Sequence, residues 1–155
     1  MVKKQTIKDL KERVEEVGVA LERFGRTPIE SRVFAYLLVS DPPYKSFDDI
    51  VEFIGASKSS VSNAINMYQK EGTITYKTFS GDRKRYFMID ADGWRNSFIN
   101  SAKSLTNLNI ILEEVIKDRK GTSDKKFNQE LRDLLDFQTY FTDKMIKILE
   151  GWKKP

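Results

Sequence analysis

Residues 46–89 read SFDDIVEFIGASKSSVSNAINMYQKEGTITYKTFSGDRKRYFMI, and this stretch decides the fold. Ser46 stands before Phe47, Ile50, Val51 and Ile54, apolar residues at helical spacing. Asp48 and Asp49 fall in the first turn, where the positive end of the helix macrodipole favours anions. Gly55 closes that short helix. Ser57 or Ser59 caps the next one, whose inward face is Val61, Ala64, Ile65 and Tyr68 and which ends at Glu71 and Gly72. Two short helices joined so tightly predict a helix-turn-helix. From Thr73 the pattern changes. The β-rich runs 73–79 and 83–89 flank Ser80, Gly81 and Asp82, predicting a two-stranded hairpin with Arg83, Lys84 and Arg85 at its tip. A hairpin directly after a helix-turn-helix reads as a wing.

Working outward, Ile7, Leu10, Val14, Val17, Leu21 and Phe24 recur at steps of three and four, the seam of an amphipathic helix that Gly25 ends. Thr27 caps a second helix, with Pro28 at the first helical position, where its missing N–H costs nothing. Val33, Phe34, Tyr36, Leu37 and Leu38 follow, and Asp41-Pro42-Pro43 stops that helix. Beyond the hairpin, residues 91–118 predict a long helix bearing Trp94, Phe98, Ala102, Leu105, Leu108, Leu112 and Val115. Gly121-Thr122-Ser123 breaks it, with Ser123 as the expected next cap. In the last helix Phe127, Leu131, Leu134, Gln138, Phe141, Met145, Ile148 and Trp152 form an a/d seam. Its one polar member, Gln138, is either a buried residue that fixes register or an exposed one.

The expected fold class is therefore mainly α with a small β-hairpin: a winged helix-turn-helix domain with long N- and C-terminal helices. Residues 1–25 form the N-terminal helix, 26–90 the winged domain and 91–155 a C-terminal helical region. The terminal helices exceed what one small domain needs for cover, so both are assigned to dimerisation. Two-fold symmetry would then set the two recognition helices about 34–36 Å apart, one turn of duplex DNA.

Composition narrows the function. The 155 residues contain neither His nor Cys, which removes the imidazole base, thiolate zinc sites and both Ser-His and Cys-His nucleophile pairs. The glycines stand apart from one another, so no phosphate-binding glycine loop is present. An enzyme is not expected, nor a cofactor or metal. The start, Met1 to Thr6, runs into charged helix rather than an apolar leader, and no run of about 18 apolar residues exists to span a bilayer. A soluble, cytoplasmic protein without membrane contact is the expectation.

The formal net charge is +4, and residues 57–88 hold six basic against two acidic side chains, a surplus equal to the whole chain's. Residues 89–155 read as near neutral, with 12 basic and 11 acidic. The surplus is thus assigned to the second short helix and the wing. Short polar side chains near a helix N-terminus reach base edges first in a major groove, which singles out Lys58, Ser59, Ser60, Ser62, Asn63 and Asn66. Asn63 or Asn66 suits a bidentate contact to adenine. Ser and Asn also serve as plain caps, so the wing adds weight: Arg83, Lys84 and Arg85 suit a minor groove or phosphates, with Asp82 ordering the turn and orienting an arginine. A hairpin edge merely blunted by charge is the alternative.

Arg26, Arg32 and Lys45 are secondary phosphate candidates, each also readable as a surface charge. Asp48, Asp49 and Glu52 read as macrodipole complements before they read as a metal site. Trp94, Phe98, Phe34 and Tyr36 read first as core, with an effector pocket as the other reading.

Three stretches carry a family resemblance. The run from Arg26 to Pro43 resembles the segment entering the helix-turn-helix of GbsR-type regulators, a branch of the MarR family of bacterial winged-helix transcription factors. Ala56-Ser57-Lys58-Ser59-Ser60-Val61-Ser62 is similar to the start of that family's recognition helix, and Gly81-Asp82-Arg83-Lys84-Arg85-Tyr86-Phe87 to its wing tip. The resemblance covers about residues 20–95. It implies a homodimer joined through its terminal helices that binds pseudo-palindromic, double-stranded operator DNA, often under control of a small-molecule effector. Without cysteine, the thiol switch of some relatives is excluded. A winged helix used for protein interaction, without specific DNA binding, is the alternative, because the recognition helix is weakly basic.

Overall fold

The computed structural model describes residues 6–152, so the reading of Met1 to Gln5 lies outside it. The elements run α1 (Ile7–Glu22), α2 (Pro28–Val39), β1 (Lys45–Ser46), α3 (Phe47–Ile54), α4 (Lys58–Lys70), β2 (Ile74–Lys77), β3 (Tyr86–Ile89), α5 (Ala91–Asp118) and α6 (Lys125–Gly151). This is the expected class, mostly helical with a small antiparallel sheet.

Local chemistry places the helix starts. Thr6, Thr27 and Ser46 each accept the N–H of the third helical residue, and Asp9, Glu30 and Asp49 return a carboxylate to the cap's own N–H. Such reciprocal capping boxes satisfy two otherwise orphaned donors at each start. Between the two cap candidates of α4, Ser57 is the cap, its Oγ accepting from the Ser60 N–H at 3.2 Å.

The sheet differs from the reading in two ways. It has three strands in the order β1-β3-β2, because Lys45 and Ser46 pair with Phe87 and Tyr86 on the outer side of β3. A two-residue strand offers no alternation to detect. The hairpin strands are also shorter than predicted, pairing only between Ile74–Lys77 and Tyr86–Ile89. Beyond them Asp82 takes the Lys84 N–H at 2.8 Å and the Tyr86 hydroxyl at 2.6 Å. A side chain that captures local donors in this way competes with the ladder.

The chain divides into two compact units, one ending at Trp94 and one beginning at Arg95. In the first, Val33, Leu37, Ile50 and Val61 are fully enclosed, each contributing about 1.5–3 kcal/mol of hydrophobic stabilisation. Phe34 lies 4.9 Å from Tyr68 and meets Trp94 edge-on at 5.0 Å, while Tyr36 stacks on Phe53 at 3.9 Å. Phe34, Tyr36 and Trp94 are thus core members. α1, assigned from sequence to the terminal dimerisation elements, packs along α2 in this unit through Leu10, Val14, Val17 and Leu21. Ile7 and Phe24 stay exposed. Gly18 gives Arg32 room beside α1, since a Cβ there would stand 3.1 Å from the arginine Cδ. Gly93 is tighter still: its Cβ would fall 1.9 Å from the Gly72 carbonyl oxygen.

The second unit pairs α5 with α6 and buries little. Ala102, Asn109 and Thr142 are its buried residues among those described. Asn109 donates to Thr142 Oγ1 at 3.3 Å, and the Asn109 Oδ1 and Gln138 Oε1 atoms are shielded without a hydrogen-bond partner among the described residues. Gln138 itself is half covered, between its two readings, with its Oε1 atom the shielded part.

Three expectations are corrected here. Asp124 rather than Ser123 caps α6, its carboxylate accepting the Phe127 N–H at 2.9 Å, the stronger acceptor of the two side chains. Phe98 is 58% exposed and belongs to no core. The α6 seam splits: Leu131, Gln138 and Met145 are half covered together with Leu135 and Leu149, whereas Phe127, Leu134, Phe141, Ile148 and Trp152 are exposed. A straight α-helix drifts against a seven-residue repeat, so one partner helix cannot follow the whole seam.

Candidate nucleic-acid interface

α4 buries Val61, Ala64, Ile65 and Tyr68, the face read from the sequence, and so turns its other side outward. Lys58, Ser59, Asn63 and Asn66 are exposed on it, with Ser60 and Ser62 half covered. The serines are ordered by one another: Ser57 Oγ lies 3.0 Å from Ser59 Oγ and 2.8 Å from Ser60 Oγ. Asn66 Nδ2 reaches Ser62 Oγ only at 3.4 Å, and Asn63 is exposed. Together these groups supply donors and acceptors at the start of a helix whose first turn carries no acid.

At the wing, Gly81 takes a positive φ of 82°, the conformation that reverses the chain there at no steric cost to glycine. Asp82 then organises the tip through Lys84 N–H and Tyr86 hydroxyl. Contrary to the reading, it holds no arginine among the described residues and takes the Lys84 N–H and the Tyr86 hydroxyl instead. The Tyr86 hydrogen bond, followed by the Lys84 N–H, holds the Asp82 carboxyl below the usual range and pushes the Tyr86 hydroxyl up. Asp82 therefore stays charged at neutral pH.

The three tip cations occupy different settings. Arg83 is exposed. Lys84 Nζ lies 3.8 Å from Asp48 Oδ2 on α3, a loose and solvated pair. Arg85 lies over the Tyr76 ring, its guanidinium carbon 4.7 Å from the centroid. A fourth cation, Lys77, counted in the basic surplus of residues 57–88 but not among the expected contacts, has its ammonium 3.4 Å from the Tyr44 centroid and 5.0 Å from that of Phe79. Tyr44, Phe79 and Tyr86 form the aromatic cluster beneath it, with centroids 5.1–5.9 Å apart. Their clustering around the hairpin was the available signal, since aromatic side chains at a hairpin's open end need a shared cover.

Two of the secondary candidates are ion-paired within the chain. Arg26 pairs with both carboxylate oxygens of Glu71 at 2.8 and 2.9 Å, and Arg32 is held by Glu15 and Glu22. Both arginines are engaged within the chain and brace α2 against α4 and α1. The pair with Arg32 lowers the Glu15 carboxyl. Lys45 leans over Tyr36 at 5.9 Å. Asp49 is taken up by its capping box, and the hydrogen bond from Ser46 lowers its carboxyl. Among the described residues no group of three or more acidic side chains is placed to hold a metal ion, and no helix is long and apolar enough to cross a membrane.

A capped helix-turn-helix with its second helix facing outward, followed by a three-stranded sheet whose hairpin carries basic residues at its tip, defines a winged helix-turn-helix protein. No family model matches the chain. It is 24% identical over 132 residues to the HTH-type transcriptional regulator MmpR5 of Mycobacterium tuberculosis, covering 85% of this chain and 79% of that protein. A crystal structure of a transcriptional regulator superposes with a TM-score of 0.73 at 22% identity, over 92% of this chain and 96% of that one, which establishes the fold. AbsC, a MarR family transcriptional regulator from Streptomyces coelicolor, is 19% identical over 74% of this chain and 87% of its own, with a TM-score of 0.41.

Proposed function

We propose that the chain is a sequence-specific, double-stranded DNA-binding transcriptional regulator, not an enzyme, and that it acts as a homodimer. One observation carries the reading: the polar outward face of α4 leads through Gly72 into a wing whose tip holds Arg83, Lys84 and Arg85 around an ordered aspartate. In this reading Lys58, Ser59, Ser60, Ser62, Asn63 and Asn66 face base edges and the adjoining phosphates, and the wing cations face the neighbouring groove. The kinship with MmpR5, itself described as a transcriptional regulator, supports it. The stretches at residues 26–43, 56–62 and 81–87 support placing the chain in the MarR family, in its GbsR-type branch.

The dimer is supported by apolar side chains that the chain leaves uncovered. Phe137, Phe141 and Ile148 on α6, Trp152 just past its end, and Ile110 and Ile111 on α5, are each between 47% and 72% exposed. Apolar exposure of this extent along two long helices exceeds what scattered surface residues account for. Residues 91–155 are assigned to this dimerisation region, with residues 1–25 contributing through the exposed Ile7 and Phe24. Control by a small effector and residence in the cytoplasm complete the reading.

Fluorescence anisotropy on duplex from the chain's own upstream region tests it. Specific binding should weaken steeply with salt, and the double variant Arg83→Ala, Arg85→Ala should lower the salt slope by about two. Binding indifferent to sequence and salt would sink the reading and leave a protein-interaction module in its place.

A further inference from the structure

Near neutrality over residues 89–155 conceals a second cationic centre. At the turn between α5 and α6 the surface forms a concavity of about 590 Å³ lined by Lys117, Arg119, Lys120, Lys125 and Arg132, and no acidic residue lines it. No carboxylate pairs with these five cations among the described residues. Asp124 caps the Phe127 N–H, Glu130 pairs with Lys126 at 3.8 Å and Asp133 accepts from Gln129 at 2.8 Å, while Asp118, between Lys117 and Arg119 in the chain, does not line the concavity.

The turn is built, not merely charged. Arg119 Nε donates to Asn128 Oδ1 at 2.8 Å, and its guanidinium carbon stands 4.7 Å from the Phe127 centroid. Asn128 Nδ2 in turn donates to Thr122 Oγ1 at 2.9 Å, and the Thr122 hydroxyl donates to the Arg119 carbonyl at 2.8 Å. This loop of bonds fixes Arg119 while leaving its two terminal nitrogens available. Lys125 stands at the first position of α6, beside the positive end of its macrodipole, where the Asp124 cap is the carboxylate at hand. Ile116 and Leu131 give the concavity an apolar lining. Its volume falls within the range of small-molecule sites, about 300–1,000 Å³.

We propose that this turn binds a small, multiply charged anion bearing phosphate or carboxylate groups, separately from the DNA-facing surface. Arg119 supplies the fixed bidentate donor, and Lys117, Lys120 and Lys125 close around the remaining charge. The inference stands on the second unit alone and does not depend on the DNA-binding reading.

Isothermal titration of the full chain at low salt with inorganic tripolyphosphate, and in parallel with citrate, tests the site. One anion per chain should bind, and the stronger of the two probes identifies the phosphate or carboxylate class. The triple variant Lys117→Gln, Lys120→Gln, Lys125→Gln should weaken that binding about ten-fold or more, while Arg83→Ala, Arg85→Ala should bind as the wild type does. Asn128→Ala, which releases Arg119, should also weaken it and serves as the second variant if the triple one melts early. Unchanged affinity in both turn variants, or loss in the wing variant instead, overturns the proposal. So does a triple variant that loses DNA affinity while still binding tripolyphosphate, for the turn would then be a contact to the DNA backbone.

Discussion

Arg26 and Glu71, 45 residues apart, face each other through two parallel hydrogen bonds, Nη1 to Oε1 at 2.9 Å and Nη2 to Oε2 at 2.8 Å. The guanidinium also lies over Tyr68, its central carbon 5.3 Å from the ring centroid, so one side chain ties the entry of α2 to the end of α4. Both partners are about one-third exposed, which keeps the pair modest. Arg26→Ala should lower stability by about 1 kcal/mol in urea unfolding, and Arg26→Lys should recover little of it, because an ammonium cannot make the paired contact. The salt slope of DNA binding should stay unchanged in both variants. A reduced slope would return Arg26 to the phosphate-contacting set.

The same corner makes the fold sensitive to alkali. Burial, the largest effect, raises the Tyr68 hydroxyl from 10.0 to about 12, against the opposing pull of Arg26. A folded pKa above the unfolded one means that the unfolded chain loses its proton first. The Tyr68 contribution is therefore complete below pH 10 and is lost as pH rises toward 12, at most about 2–3 kcal/mol. Tyr36 is shifted in the same direction, again chiefly by burial. Urea midpoints between pH ~9 and pH ~11.5 should fall for the wild type and fall less for Tyr68→Phe. Parallel curves would show that Tyr68 is not the titrating group.

Gly93 tests how closely the first turn of α5 must approach the α4–β2 corner. A Cβ at this position would meet backbone, the Gly72 carbonyl, and backbone cannot rotate away as a side-chain end can. Gly93→Ala should destabilise by about 1–3 kcal/mol even though alanine is the better helix former. Thermal melting measures this directly, and a neutral outcome would mean the corner is looser than described.

The exposed ring pair on α6 offers a test of assembly. Phe137 and Phe141 lie 6.3 Å apart, nearly parallel, and are 63% and 47% exposed. Replacing both with lysine should leave the melting of the first unit intact and shift sedimentation from dimer to monomer. DNA affinity should drop as the second half-site is lost. A variant that stays dimeric would move the interface elsewhere.

What the sequence made legible was local chemistry with a short reach. Thr27, Ser46 and the inward face of α4 could be read because a cap or a helical face is decided within a few residues. Lys45 and Ser46 could not be read as a strand, since their pairing to Phe87 and Tyr86 exists only once the chain has returned. Arg26 and Arg32 looked like free surface cations for the same reason, their glutamates lying 45 residues away in one case and 10 to 17 in the other. The basic turn escaped notice because a sum over residues 89–155 averages away the local cluster of cations at 117–125.

The aromatic cluster under Lys77 bears on how the wing meets its target. A two-stranded hairpin projecting into water is marginal by itself, and a floppy one would have to lose its freedom at the moment of contact. Tyr44, Phe79 and Tyr86, roofed by the Lys77 ammonium and tied to Asp82, remove that freedom when the chain folds. Such a wing arrives stiff. If it contacts DNA as proposed, it would fit a groove of the right width without remoulding itself to a wrong one, so its selectivity would come from DNA shape and flexibility rather than from the number of its charges.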